Sequence, residues 1–190
     1  MPPKYQLRII AGSLKGRRLA SPDWAGLRPT SDRLRETLFD VLAGSVRGAR
    51  VLDGYAGTGA IGIEAISRGA AHVTFVERDA RALTLIGENL TRCGVTGGYT
   101  VLRGDLETGA GALAAAYDLI VIDPPYTADP AAAVGALDAA LTTGGRLVIE
   151  HARRTAPADR AGALTLTRTI AAGDSALSFY RRAVDVADSA

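Results

Sequence analysis

Two short motifs carry residues able to do chemistry. One is DGYAGTGAIG, residues 53–62; the other is Asp123-Pro124-Pro125-Tyr126, directly after the apolar run YDLIVI. Gly57-Thr58-Gly59-Ala60-Ile61-Gly62 matches G-x-G-x-x-G, and Glu77 stands 18 residues past Gly59. A dinucleotide fits that pattern, with the acid holding a ribose hydroxyl pair. Asp53 points elsewhere. A carboxylate just before the turn repels a doubly charged pyrophosphate. It suits S-adenosylmethionine, which has no phosphate and carries a sulfonium and an amino group. The structural alternative for Asp53 is a cap on the helix that follows. Asp105, in RGDLE, sits at another strand end, where it could bind an adenine amino group or cap the next segment.

DPPY fits the other half of a methyl transfer. An exocyclic amine on a nucleobase is a poor nucleophile, because its lone pair is delocalised into the ring. Two acceptors that hydrogen-bond its protons draw the nitrogen toward tetrahedral geometry and localise the pair. Asp123 supplies one acceptor. The Pro124 carbonyl supplies the other, held in place because Pro125 restricts the residue before it. Tyr126 offers a face on which an extruded base can stack. The alternative is a proline-rich turn with a core tyrosine.

These residues need a scaffold, and the rest of the chain supplies one. ARVLD (49–53), HVTFVE (72–77), YTVLRG (99–104), YDLIVI (117–122) and GRLVIEH (145–151) read as strands. Helical spacing fills the intervals near 58–68, 80–92, 108–116 and 130–141. Ser31-Asp32 starts an earlier helix through Leu34, Leu38 and Leu42. Runs at 163–170 and 176–184, joined by a short turn, read as an antiparallel edge pair. The expectation is an α/β protein: a doubly wound, mostly parallel seven-stranded sheet with that edge pair. Ligands on such sheets sit at the carboxyl ends of the strands, where Asp53, Glu77, Asp105 and Asp123 all fall.

Charge adds a partner. Residues 1–35 hold eight Lys and Arg against two Asp, a net +6, so the other 155 residues carry −4 of the total +2. A basic arm over residues 1–30, with RIIAGSLKGRRLASP alternating as a short β-hairpin, predicts a polyanionic partner such as nucleic acid. A solvated surface hairpin is the plainer reading. At 190 residues and 47% hydrophobic, the chain fits one domain with a short appendage. No run approaches the roughly 18 apolar residues of a membrane span, and MPPKYQLRII has no secretory core. A cytoplasmic protein without membrane partners, monomeric, is the expectation. Cys93 is the single cysteine, read as a packed thiol, and no cluster has metal-ligand spacing. His72 reads as an edge residue and His151 as structural. Trp24 could stack on RNA or pack the arm onto the body.

RIIAG, KGRRL, LRPTSDRLRETLFDVL, AGTGAIGIEAISRGA and DPPY together resemble the RsmD family of bacterial 16S rRNA guanine-N2 methyltransferases. The resemblance runs from about Arg8 to Arg182. It implies a Rossmann-like class I S-adenosylmethionine-dependent fold over 31–190, preceded by the hairpin arm, and no metal. It implies methylation of one guanine in the rRNA of the small subunit or its assembly intermediate. Asp53, Gly57 and Gly59 would then bound the donor's methionine end, Glu77 its ribose and Asp105 its adenine. Asp123, Pro124, Pro125 and Tyr126 would orient and stack the guanine. Lys15, Arg17, Arg18, Arg28 and Arg33 would meet RNA, the last two within a lid around Arg28-Pro29-Thr30. Gly54-Tyr55 departs from the family's usual Leu-Phe. A DNA adenine-N6 methyltransferase, lacking room here for a target-recognition region, and a catalytically silent RNA-binding or nucleotide-sensing protein are the alternatives.

Overall fold

Near-continuous apolar runs separated by amphipathic segments can bury both faces only as a central sheet covered by helices. The computed structural model describes residues 7–24, 31–109, 113, 116–125, 128–155 and 157–182. Five strands run parallel: β1 (Arg50–Gly54), β2 (His72–Glu77), β3 (Tyr99–Arg103), β4 (Tyr117–Ile122) and β5 (Leu141–Ala152). Three more, β6 (Arg160–Ala161), β7 (Leu164–Ala172) and β8 (Ser175–Arg182), extend the sheet antiparallel. The order is β3-β2-β1-β4-β5-β8-β7-β6, which reverses direction between β1 and β4.

The sheet therefore has eight strands where seven were expected. The addition is β6, whose two residues pair with Thr165 and Leu164. Two residues show no periodicity, so the pattern could not reveal it. The segment expected as one helix over 130–141 is also divided. Its helix stops at Ala136 and a single 3-10 turn covers Asp138–Ala140. Asp138 is drawn toward the sheet edge instead. Its carboxylate accepts from Ala163 N, and Arg182 donates to both its carbonyl and its carboxylate.

Helices α1 (Asp32–Val41), α2 (Ala60–Ser67) and α3 (Ala80–Arg92) cover one face, and α4 (Leu106–Gly109) and α5 (Pro130–Ala136) the other. Ser31, Asp79 and Asp129 cap α1, α3 and α5 with side-chain oxygens. The strands alternate cleanly between the two cores. Val51, Phe75, Val121 and Val148 pack toward α1, α2 and α3; Leu52, Val76, Ile122 and Ile149 pack toward α4 and α5. Cys93 is buried at the end of α3. Among the described residues, no helix is long and apolar enough to cross a membrane.

The arm makes a minimal hairpin outside the sheet. Ile9 N and Leu19 N donate to Arg17 O and Leu7 O at 2.9 Å, and Arg8 bridges Arg18. Leu7, Ile9 and Leu19 are buried, while Lys15, Arg17 and Arg18 face outward. The hairpin is seated on α2 by polar contacts. The fully buried Glu64 accepts from Ile10 N at 2.7 Å and Ala11 N at 2.9 Å, and pairs with Arg68 at 2.9 Å. Ser67 receives Leu14 N, and Asn89 of α3 receives Ala20 N. Gly12 lies so close that a Cβ there would stand 1.9 Å from Ser67 O. The buried Arg35 lies 3.9 Å from Glu64 and donates to Arg8 O.

Removing Glu64 leaves Ile10 N, Ala11 N and Arg68 Nε without their acceptor, and leaves the buried Arg35 with Asp32, at 2.6 Å, as its remaining carboxylate. Glu64→Ala is expected to destabilise the fold by about 3–5 kcal/mol, read by denaturant unfolding. Amide exchange should rise first over residues 7–20. A variant with an unchanged midpoint and an equally protected arm would contradict this.

Candidate active site

A cavity of ≈ 1270 Å³ opens at the carboxyl ends of β1, β2, β4 and β5. That exceeds the roughly 300–1,000 Å³ typical of a single small-molecule site. Its position follows from topology, since the strand order reverses there.

The glycine turn forms the floor beside β1. Gly57 and Gly59 have φ of 55° and 74°, the left-handed region where a side chain is strained. Gly62 serves packing: a Cβ there would lie 2.2 Å from the Phe75 ring. Helix α2 therefore sits tight against β2, and its first turn reaches Asp53. Asp53 is buried, and its Oδ2 accepts from Gly62 N at 2.8 Å. The capping alternative is thus real, and the same carboxylate also lines the cavity. Burial pushes its pKa up to about 8, the Gly62 hydrogen bond opposes that, and the nearby Glu77 charge adds to it. Glu77 Oε2 accepts from Gly57 N at 2.9 Å, and its Oε1 accepts from Arg78 N and Asp79 N. Two turn and helix amides that a pyrophosphate would need are therefore already donated to carboxylates.

Asp123, Pro124 and Pro125 line the same cavity across from this turn, so the structure brings the two motifs together. Asp123 N donates to Gly54 O at 3.4 Å, joining β4's end to β1's. Between them stands Tyr55, with φ of 59°, the one non-glycine residue at positive φ among those described. A side chain at Gly54 would meet Leu106 Cδ1 at 2.4 Å and Ile122 Cγ2 at 2.8 Å. The departure at Gly54-Tyr55 thus goes with close packing beneath the site.

Asp105 is not brought into the large cavity. It lies in an adjoining recess with Tyr55 and Leu106, 3.3 Å from Arg78 Nη1. Arg33 is exposed on α1, whose Ser31 and Leu34 reach the cavity. Tyr126 and Arg28 lie outside the described residues, as do Pro29 and Thr30. Trp24 lines the cavity under the Arg81 guanidinium, 5.1 Å from its ring centre. Arg81 pairs with Asp79 at 2.7 Å and draws the Asp79 carboxyl down to about 2. His72 bonds Thr100, and His151 is buried against Ser178 at 2.8 Å.

Sequence reasoning missed the far wall. Glu150, Arg153 and Arg154 at the end of β5, and the β7–β8 turn around Asp174, line the cavity. The strand-end rule that singled out the earlier acids applies equally to Glu150. Among the described residues, no group of three or more His, Cys, Asp or Glu side chains is placed to hold a metal ion.

Residues 7–181 match the model of a family described as conserved hypothetical protein 95. The chain belongs to this family, the RsmD family. This RsmD-family chain is 34% identical over 182 residues to the "Putative rRNA methyltransferase YlbH" of Bacillus subtilis, covering 93% of itself and 99% of that protein. It is 40% identical over 121 residues to the "Ribosomal RNA small subunit methyltransferase D" of Escherichia coli, 64% of this chain and 61% of that one. Among solved structures, the "Putative methyltransferase yhhF from Escherichia coli" superposes with a TM-score of 0.79 at 33% identity, covering 93% and 98% of the two chains. The fold is that of the class I S-adenosylmethionine-dependent methyltransferases.

Asp53 gives this RsmD-family site a pH signature. The folded state holds its proton up to about pH 8, whereas an unfolded Asp loses it near 3.8. Stability therefore falls as pH rises between those values, by up to about 1.4 kcal/mol per unit. Asp53→Asn keeps an acceptor for Gly62 N and does not titrate. Relative to this variant, the wild type should lose thermal stability from pH 5 to pH 8 and then level off. Parallel curves would contradict the raised pKa.

Proposed function

We propose that this chain transfers a methyl group from S-adenosylmethionine to the exocyclic N2 of a guanine in 16S rRNA. The rRNA would be met in the small ribosomal subunit or its assembly intermediate, in the cytoplasm. The observation that carries this reading is the shared cavity: a carboxylate-lined glycine turn on one side, Asp123-Pro124-Pro125 on the other.

The residues fit the donor. Glu77 favours a cation, a cation bound there would draw the proton off Asp53, and the hold of the two side chains on the Gly57 and Gly62 amides disfavours a phosphate. Gly57 and Gly59 leave the turn without side chains where the methionine end would lie. Glu77 would hold the ribose hydroxyls, and Asp105 the adenine from the adjoining recess. Bound there, S-adenosylmethionine supplies an electrophilic methyl group on a sulfonium.

The chain's own contribution is to prepare the nucleophile. Asp123 and the Pro124 carbonyl accept the two N2 protons, which localises the nitrogen lone pair toward the donor. In the transfer the S–CH₃ bond would break as the N–C bond forms, leaving the neutral thioether, and Asp123 would take the proton that N2 sheds. Pro125 fixes the Pro124 carbonyl, and Tyr126 stacks on the extruded base. Lys15, Arg17 and Arg18, exposed on the hairpin, would contact RNA phosphates together with Arg28 and Arg33.

The test combines labelled donor with unmethylated small subunits, free rRNA and duplex DNA, followed by nucleoside mass analysis. N2-methylguanosine from ribosomal substrate is expected; N6-methyladenine in duplex DNA would support the DNA reading instead. Asp123→Ala is expected to abolish turnover while donor affinity, by calorimetry, stays within about tenfold. Near-wild-type turnover in that variant would sink the mechanism.

The arm has its own test. Neutralising Lys15, Arg17 and Arg18 together should weaken binding to the RNA particle and flatten the slope of log affinity against log salt, since fewer counterions are released. Donor affinity should not change. An unaltered slope would remove the arm as an electrostatic contact.

A further inference from the structure

Four acids line the cavity from neighbouring strands: Glu77 on β2, Asp53 on β1, Asp123 just past β4 and Glu150 on β5. The first three have a place in the proposed reaction. Glu150 does not, although it is only 7% exposed. Its carboxylate lines the same cavity as the other three, within reach of a group bound there.

Register locates it. Ile122 of β4 pairs with Ile149 of β5 in parallel, the last pair of that ladder, and Asp123, just past β4, and Glu150 of β5 are the residues that follow it, where the strands stand about 4.8 Å apart. Both follow residues that pack toward α4 and α5, so both stand on the opposite face, the one that opens to the turn. The strand order β2-β1-β4-β5 puts Glu150 beyond Asp123 from the donor end. A group there faces the base.

We infer that Glu150 is a specificity-determining residue that reads the N1–H of the target guanine, beside the N2 amine held by Asp123 and Pro124. The inference rests on the proposed guanine-N2 reading. Guanine presents N1–H and N2–H₂ side by side, two neighbouring donors on one edge. Adenine has a bare acceptor at N1, which a carboxylate repels. A buried acceptor so placed admits guanine and rejects purines lacking that proton.

The test uses small subunits reconstituted with 16S rRNA carrying either guanine or 2-aminopurine at the methylated position. 2-Aminopurine keeps the 2-amino group, but its N1 is an acceptor. Wild type is expected to methylate guanine and to disfavour 2-aminopurine strongly. Glu150→Gln, which can turn an amide N–H toward N1, is expected to lose roughly 10–100-fold in kcat/KM on guanine and to gain on 2-aminopurine. Donor affinity by calorimetry should match wild type, which also reports that the variant is folded. A Glu150→Gln variant that discriminates between the two bases as wild type does would overturn the inference alone. A wild type that places its methyl group anywhere other than guanine N2 would overturn the underlying reading, and the inference with it.

Discussion

The close seat of α2 against the sheet sets the geometry of everything around it. Gly62 has no side chain, so the helix backbone approaches Phe75 within a distance no Cβ would allow. At that distance the Gly62 amide reaches Asp53, and a buried carboxylate binds the end of β1 to the first turn of the helix. The glycine turn between them is thereby closed over the carboxyl edge of the sheet. The outer side of the same helix carries Glu64 and Ser67, which seat the N-terminal hairpin. One helix thus connects the floor of the cavity to the basic arm, and a displacement of α2 would disturb both.

The cavity's electrostatics follow from strand ends. Parallel strands deliver their last residues to one edge, and here that edge carries four carboxyl groups, those of Asp53, Glu77, Asp123 and Glu150, of which Asp53 holds its proton up to about pH 8. Backbone amides balance part of that charge: Glu77 takes three and Asp53 one. The remaining field favours a cation and amine protons over phosphate. Basic side chains stand farther out, at Arg153 and Arg154 on the rim and at Lys15, Arg17 and Arg18 on the hairpin. The charge arrangement separates a cavity suited to cations and amine protons from surfaces suited to a polyanion.

Much of this was legible in the sequence because it rests on local rules. Four of the five parallel strands are runs of five or six residues close to where they were expected, whereas β5 extends to twelve, from Leu141 through Ala152, past both ends of the expected 145–151; α3 spans the predicted 80–92. The acids near the ends of β1 and β2 and just past β4 were singled out by their position alone. Other features depend on contacts between distant segments. β6 exists only because Leu164 and Thr165 pair with it. α5 ends early because Arg182 and Ala163, far along the chain, claim Asp138. Glu150 stood near a strand end like the other acids and was legible by that rule, though its run is buried on both faces and no alternation singles it out. The docking of the hairpin on Glu64 was hidden for the same reason: a lone acid in a helix does not announce its distant amides.

The central claim is that one cavity holds the donor's reactive end against Asp123 and Pro124. A crystal structure of the protein with sinefungin, which carries an amine where the donor has its methyl sulfonium, tests it most directly. The amino-acid end should lie along the turn at Asp53 and Gly57 and the ribose at Glu77, with the substituent amine directed at Asp123 and the Pro124 carbonyl. A ligand seated elsewhere, or one whose amine points away from Asp123, would contradict the shared site.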